Sequence, residues 1–223
     1  MFIKTGRFFH EDKETVAGAV PGGFGLLAAL TAIYLQTPRF IPTERFGFAR
    51  EVPAEEAALR QKLVDAATGW AGVREDDGSH HFIIDLYNTL DPLPQDYRVT
   101  YDDAWCAAFV TAAALKTEMT DIIPPECSCS RQIKLLQDLG RWEEEDDYRP
   151  LPGDVIYYDW DFSIHYDCTG WPEHVGIVVG TYGPFIRVME GNMDDGFAGF
   201  RTIRQNDWCI RGYGLPDYAA KCE

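Results

Sequence analysis

The stretch Glu173-His174-Val175-Gly176-Ile177-Val178-Val179-Gly180-Thr181-Tyr182-Gly183-Pro184-Phe185-Ile186-Arg187-Val188-Met189-Glu190-Gly191-Asn192 decides the fold. Val175, Ile177, Val178 and Val179 are β-branched and form a short apolar run, which predicts a strand. Thr181-Tyr182-Gly183 is a turn signal, and Phe185 to Glu190 returns as a second strand. With the loop centred on Tyr182, His174 falls opposite Glu190. Asn192, two residues further, then points to the same side as Glu190. The hairpin thus offers a strand-leading histidine a carboxylate and an amide on its own face. A register slip of one residue would break this alignment.

Reading outward, Pro152-Gly153 introduces a β run over Asp154 to Asp159, and Phe200 to Ile203 and Cys209 to Tyr213 are short strand candidates. Upstream of Trp142 the pattern is helical. Ala54 to Ala67 follows Pro53, carries Glu55 and Glu56 in its first turn and shows an apolar stripe of Leu59, Leu63 and Ala66/Ala67. His81 to Leu90 is apolar and reads as helical. Ala104 to Glu118 is alanine-rich, with Phe109, Val110, Ala113 and Ala114 on one side. Ser130 to Leu139 follows, with Ser130 as its expected N-cap and Gly140 as its stop. Helices first and strands second predict an α+β fold with an antiparallel sheet of four to six strands, not a βαβ repeat.

Cys106 lies in Asp102-Asp103-Ala104-Trp105-Cys106-Ala107-Ala108-Phe109. Asp103 as N-cap would put the cysteine in the first turn of the helix. A helix N-terminus favours an anion, so a thiol there ionises more readily and becomes a nucleophile. A thiolate at a helix start, an imidazole, and a Glu or Asn to orient the ring are the parts of a cysteine hydrolase. The backbone N–H of Cys106 is a candidate oxyanion donor.

These segments resemble the CHAP family of cysteine amidases and peptidases, within the wider NlpC group of papain-like enzymes. The likeness rests on Trp105-Cys106-Ala107-Ala108-Phe109-Val110, Pro152-Gly153-Asp154-Val155-Ile156, Glu173-His174-Val175-Gly176-Ile177-Val178 and Glu190-Gly191-Asn192, in that order, and covers about residues 54 to 219. The resemblance implies a papain-like fold with the catalytic cysteine at a helix start, and cleavage of an amide bond in bacterial peptidoglycan. It places the nucleophile at Cys106, the base at His174, and the third and fourth polar positions at Glu190 and Asn192. Amidase action between sugar lactyl and L-Ala, and endopeptidase action on a stem or cross-bridge, are both open. So are a peptidase or transamidase acting on protein and a non-catalytic wall-binding groove.

Asp103, Trp105, Tyr158, Trp160 and Trp171 are the candidate substrate-binding residues. Tyr157, Tyr158, Trp160, Phe162 and Trp171 cluster around the sheet and either wall a groove or alternate between core and surface. Some CHAP enzymes bind calcium before the cysteine, but Asp96, Asp102 and Asp103 lack the spacing of a calcium loop, and no cofactor is expected. Cys127-Ser128-Cys129 would bind a metal only if the fold joined it to His165 and Cys168. Glu143 to Asp147 reads as a solvated acidic loop, and Asp154 and Asp159 as turn anchors. His80 and His81 read as structural.

Charge narrows the partners. Lys and Arg total 20 against 36 Asp and Glu, a net charge of −16. That excludes nucleic acid as the main partner and gives no pull toward an anionic membrane or wall. Residues 1–53 are expected to form an N-terminal extension and linker, with the catalytic domain at 54–223. Val16 to Leu35 is uncharged but broken by Pro21, Gly22, Gly23 and Gly25, short for a span. Glu11, Asp12 and Glu14 before it argue against a signal peptide. Action at the cell wall through phage-type release or unconventional export is the resulting expectation.

Overall fold

The computed structural model describes residues 41–160, 170–194 and 196–222. Among these residues four α-helices come first: α1 (Ala54–Thr68), α2 (His81–Tyr87), α3 (Cys106–Thr117) and α4 (Cys129–Asp138). Six strands follow: β1 (Trp142–Glu143), β2 (Val155–Tyr158), β3 (His174–Tyr182), β4 (Phe185–Met193), β5 (Phe197–Arg204) and β6 (Ile210–Gly214). They form one sheet in the order β1-β6-β2-β3-β4-β5, with antiparallel pairing throughout. The α+β expectation holds. β1, a two-residue strand paired with β6, falls where a solvated acidic loop was expected to begin.

The alanines of α3 have a packing reason. Every residue of the helix except Leu115 and Lys116 is buried, so it has no solvent face rather than the single apolar side expected. Small side chains let it lie between α1, α2 and the sheet, a position a bulkier helix could not occupy. Phe109 meets β4 at Gly191, where an added Cβ would lie 2.6 Å from the ring. This close approach brings the start of α3 to the end of the β3–β4 hairpin. Leu63, Ile83, Phe109, Val110, Val175 and Ile177 belong to the core on the helical face. The opposite face of the sheet carries a second cluster, including Ile156, Tyr158, Val178, Val188 and Tyr213. With both faces apolar, β2 is buried along its whole length.

The cap assignments differ from expectation. The N-cap of α3 is Trp105, not Asp103, and Cys106 is its first residue. Asp103 instead accepts hydrogen bonds from the Thr100 backbone N–H at 2.7 Å, the Thr100 hydroxyl at 2.8 Å and the Tyr97 hydroxyl at 2.9 Å. Asp side chains compete in this way for local donors in a tight turn. Ser128, rather than Ser130, is the N-cap of α4. Within the stretch read as a linker, Phe46 is buried and Gly47 bridges to Thr181 on β3. Among the described residues no helix is long and apolar enough to cross a membrane. The apolar stretch Val16 to Leu35 lies outside them.

Asp154 anchors the turn before β2. It accepts from Arg60 Nη1 at 2.8 Å, the Tyr148 hydroxyl at 2.7 Å and the Leu151 N–H at 2.8 Å, while Arg60 also donates to Glu56 and to the Pro152 carbonyl. Both Arg60 and Asp154 are buried. Asp154→Ala leaves a buried guanidinium short of its main counter-charge, and the expected loss is about 3–5 kcal/mol in urea unfolding. A loss under about 1 kcal/mol would show that the pair does not hold α1 to the sheet.

Candidate active site

The hairpin register decides the site, and it differs from the expected one. The loop is the two-residue Gly183-Pro184, with Tyr182 paired to Phe185, so its centre lies past Tyr182. Gly183 has φ +55°, and Gly followed by Pro is the pattern of a type II′ turn. Carried straight back, this register would place Glu190 and His174 on opposite faces. A bulge between Val178 and Gly180 inserts one extra residue in β3 and reverses the parity. Gly176 then pairs with Glu190, not His174 as expected. His174 and Glu190 are diagonal neighbours on one face. The glutamate side chain crosses the space above Gly176, where a Cβ would lie 2.6 Å from Glu190 Cγ.

The diagonal makes the bond that the simpler register was expected to make. His174 Nε2 and Glu190 Oε2 are 3.0 Å apart, with Glu190 fully buried. This leaves Nδ1 as the ring nitrogen for the thiol. Arg201 on β5 donates from Nε to both Glu190 oxygens at 2.9 Å. Its guanidinium also lies 5.0 Å from the Trp160 ring centroid. Thiolate, imidazolium, carboxylate and guanidinium therefore alternate in sign and sum to zero. Such neutralisation makes buried ionised groups tolerable.

Cys106 is 6% exposed and lies 3.8 Å, sulfur to sulfur, from Cys129. Each cysteine is the first residue of its helix, so two helix N-termini converge on one sulfur pair. The Cys129 thiol, against the cost of burial, holds the Cys106 thiol well below its ordinary pKa, aided by His174 and the Ala107 N–H. Burial pulls the His174 pKa down, but hydrogen bonds to Cys106 and Glu190 outweigh it and raise the ring to about 10. Both shifts favour the thiolate–imidazolium pair across neutral pH.

A cleft of about 300 Å³ opens on His174, walled by Trp160, Glu173, Asn192, Asp194 and Arg201. Asn192 sits in a bulge of the β4–β5 pairing with φ +55°. It lines the cleft, while the imidazole's bond goes to Glu190. Tyr158 is fully buried and stacks on Trp160 at 4.8 Å, so of the two only Trp160 presents a surface to the cleft. Trp105 is fully buried between His80 and Phe109, which makes it a packing residue next to Cys106. Trp171 is 73% exposed. Phe162, His165 and Cys168 lie outside the described residues. His80, read as structural, is buried, with its ring nitrogens on the Arg74 and Tyr101 carbonyls.

Cys129 and Arg201 were not among the expected site residues. Cys129 carried one signal, its place just before a helical run. Arg201 carried none, because its pairing depends on the β4–β5 register. Among the described residues no group of three or more His, Cys, Asp and Glu side chains is arranged to hold a metal ion.

Gly176→Ala tests the diagonal. Its methyl would displace Glu190 Cγ and crowd Val188, each 2.6 Å away. For the hydrolase proposed below, the expected result is a loss of about 10- to 100-fold in kcat with thiol content unchanged. Unaltered kcat would show that the imidazole does not need Glu190 in place.

No family model, curated protein or solved structure matches the chain.

Proposed function

We propose that the chain is a cysteine hydrolase of papain-like arrangement that cleaves an amide bond in bacterial peptidoglycan. The observation that carries the reading is the His174 imidazole, held at 3.0 Å by buried Glu190 and coupled to a depressed-pKa thiol at the head of α3. The substrate class rests on the likeness of the Cys106 and His174 segments to the CHAP family.

The steps follow from the residues. The Cys106 thiolate attacks the scissile carbonyl, and its own backbone N–H, which as a helix-start donor has no intrahelical partner, is the oxyanion donor of this reading. The His174 imidazolium protonates the leaving amine, and a thioester remains on Cys106. The neutral ring then takes a proton from water, which attacks the thioester and frees the cysteine. Glu190 keeps the ring's orientation through both steps, and Arg201 balances the carboxylate. Trp160 offers an apolar wall to a peptide segment in the cleft. With a net charge of −16 the protein gains nothing from long-range attraction to an anionic wall, so recognition falls to the cleft.

Purified wild-type and Cys106→Ala protein are incubated with peptidoglycan of several wall types, and the released fragments are identified by mass spectrometry. Fragments from wild type alone support the reading, and their masses assign amidase or endopeptidase action. No fragments from any wall would overturn the substrate class. Amine incorporation into protein under the same conditions would replace it with transamidation.

A further inference from the structure

We propose that Cys106 and Cys129 form a reversible redox pair, with Cys129 as the resolving thiol that captures an oxidised Cys106 as a disulfide. The inference rests on the reading of Cys106 as the reactive thiol. The carrying observation is geometric. Two buried sulfurs lie 3.8 Å apart across two helix starts that are 23 residues apart in sequence. A disulfide needs about 2.05 Å, so side-chain rotation has only about 2 Å to close.

Cys127 is the nearest rival, two residues from Cys129, but it faces elsewhere. Its sulfur lies 3.7 Å from Glu126 Oε1 and 3.8 Å from Gln95 Nε2. Cys129 meets Cys106 alone among the described thiols. Its bond to Cys106, together with burial, holds the Cys129 thiol well above its ordinary pKa, so it stays protonated while Cys106 is a thiolate. One sulfur is thus poised to react and the other held in reserve.

The chemistry balances with a peroxide as oxidant. The Cys106 thiolate attacks one peroxide oxygen; an S–O bond forms, the O–O bond breaks, and the leaving hydroxide takes a proton from the His174 imidazolium. Cys106 is now a sulfenic acid and no longer anionic, so the charge that suppressed ionisation of Cys129 is gone. The Cys129 sulfur attacks the sulfenic sulfur; an S–S bond forms, the S–O bond breaks, and water leaves with the Cys129 proton. Two thiols lose two electrons and one peroxide becomes two waters. The product has no nucleophile and is protected from irreversible oxidation. A dithiol reductant restores both thiols.

The test treats the full chain with hydrogen peroxide at neutral pH and maps cysteines without reduction. The expected result is a link between the peptide holding Cys106 and the peptide holding Cys127 and Cys129, with fragmentation assigning the bond to Cys129. Cys127→Ser keeps the link. Cys129→Ser loses it, and Cys106 stops at a dimedone-reactive sulfenic acid. Hydrolysis and iodoacetamide labelling of Cys106 fall to background on oxidation and return with dithiothreitol. A link through Cys127, or wild-type Cys106 driven to sulfinic acid without a link, would overturn the proposal, and the wild-type map decides this even if a variant folds poorly. A Cys106–Cys129 link in a protein that releases no wall fragments would sink the hydrolase reading alone. Wall hydrolysis lost in Cys106→Ala, with no link on oxidation, would sink the redox pair alone.

Discussion

Cys106→Ala is expected to reduce hydrolysis by at least about 10⁴-fold, to the level that binding alone supports. The size follows from the proposed chemistry. Without the thiol there is no thioester, and water would have to attack the amide directly. The orienting groups around the missing sulfur cannot compensate, because without the thiolate's attack there is no leaving amine for the ring to protonate. The fold is expected to survive. Alanine is smaller than cysteine, its neighbours Ala107 and Ala108 are already alanines, and loss of one buried sulfur costs on the order of 1 kcal/mol. The thermal midpoint should therefore move by only about 2–4 °C. Kinetics of fragment release with the melting curve of the same preparation make the check. Full activity in Cys106→Ala would end the thiol mechanism, whatever else the cleft does.

His174→Ala is the second large effect, about 10³-fold or more in kcat/KM. It removes the proton carrier and also the cation that, after the Cys129 thiol, helps hold the Cys106 thiol ionised. The pH profile separates these roles. In the wild type, activity is expected to rise as Cys106 loses its proton, below the ordinary thiol range, and to fall as the imidazolium loses its proton, near pH 10. The profile is a broad plateau through neutrality. In His174→Ala the remaining activity should instead climb only at higher pH, where the thiol ionises without its partner. Glu190→Gln should leave the acid limb nearly in place and move the alkaline limb to lower pH, because the lost carboxylate stabilised the charged ring. Its cost in rate is smaller, about 10- to 100-fold. An alkaline limb unmoved by Glu190→Gln would show that the carboxylate does not set the charge state of His174.

Two residues mark how far the sequence reaches. Cys106 was legible because the signal is local: an alanine-rich run over Ala104 to Glu118 predicts a thiol in the first helical turn, although α3 begins two residues later than expected, at Cys106 itself. The change from helical spacing to β-branched runs after Trp142 likewise gave the α+β order, since periodicity is a property of neighbouring residues. Glu190 was named for an incomplete reason. Its face depends on the loop centre at Gly183-Pro184 and on the extra residue in β3 near Val179, and the two displacements from the expected register restore the parity. A bulge is chosen by the packing of the whole strand, so no window of sequence announces it.

The sequence by itself thus determined the order of helices before strands, that a nucleophile candidate stands at a helix start, and that a histidine leads a hairpin carrying Glu190 and Asn192. Only the tertiary structure decided that Glu190 rather than Asn192 holds the ring, that Arg201 neutralises the Glu190 carboxylate, and that Cys129 meets Cys106. The physical reason is common to all three. Each contact is an ångström-scale approach between two elements, set by bulges in the strand pairing and by packing volumes such as the space left by Gly176 and Gly191, which no local window of sequence encodes.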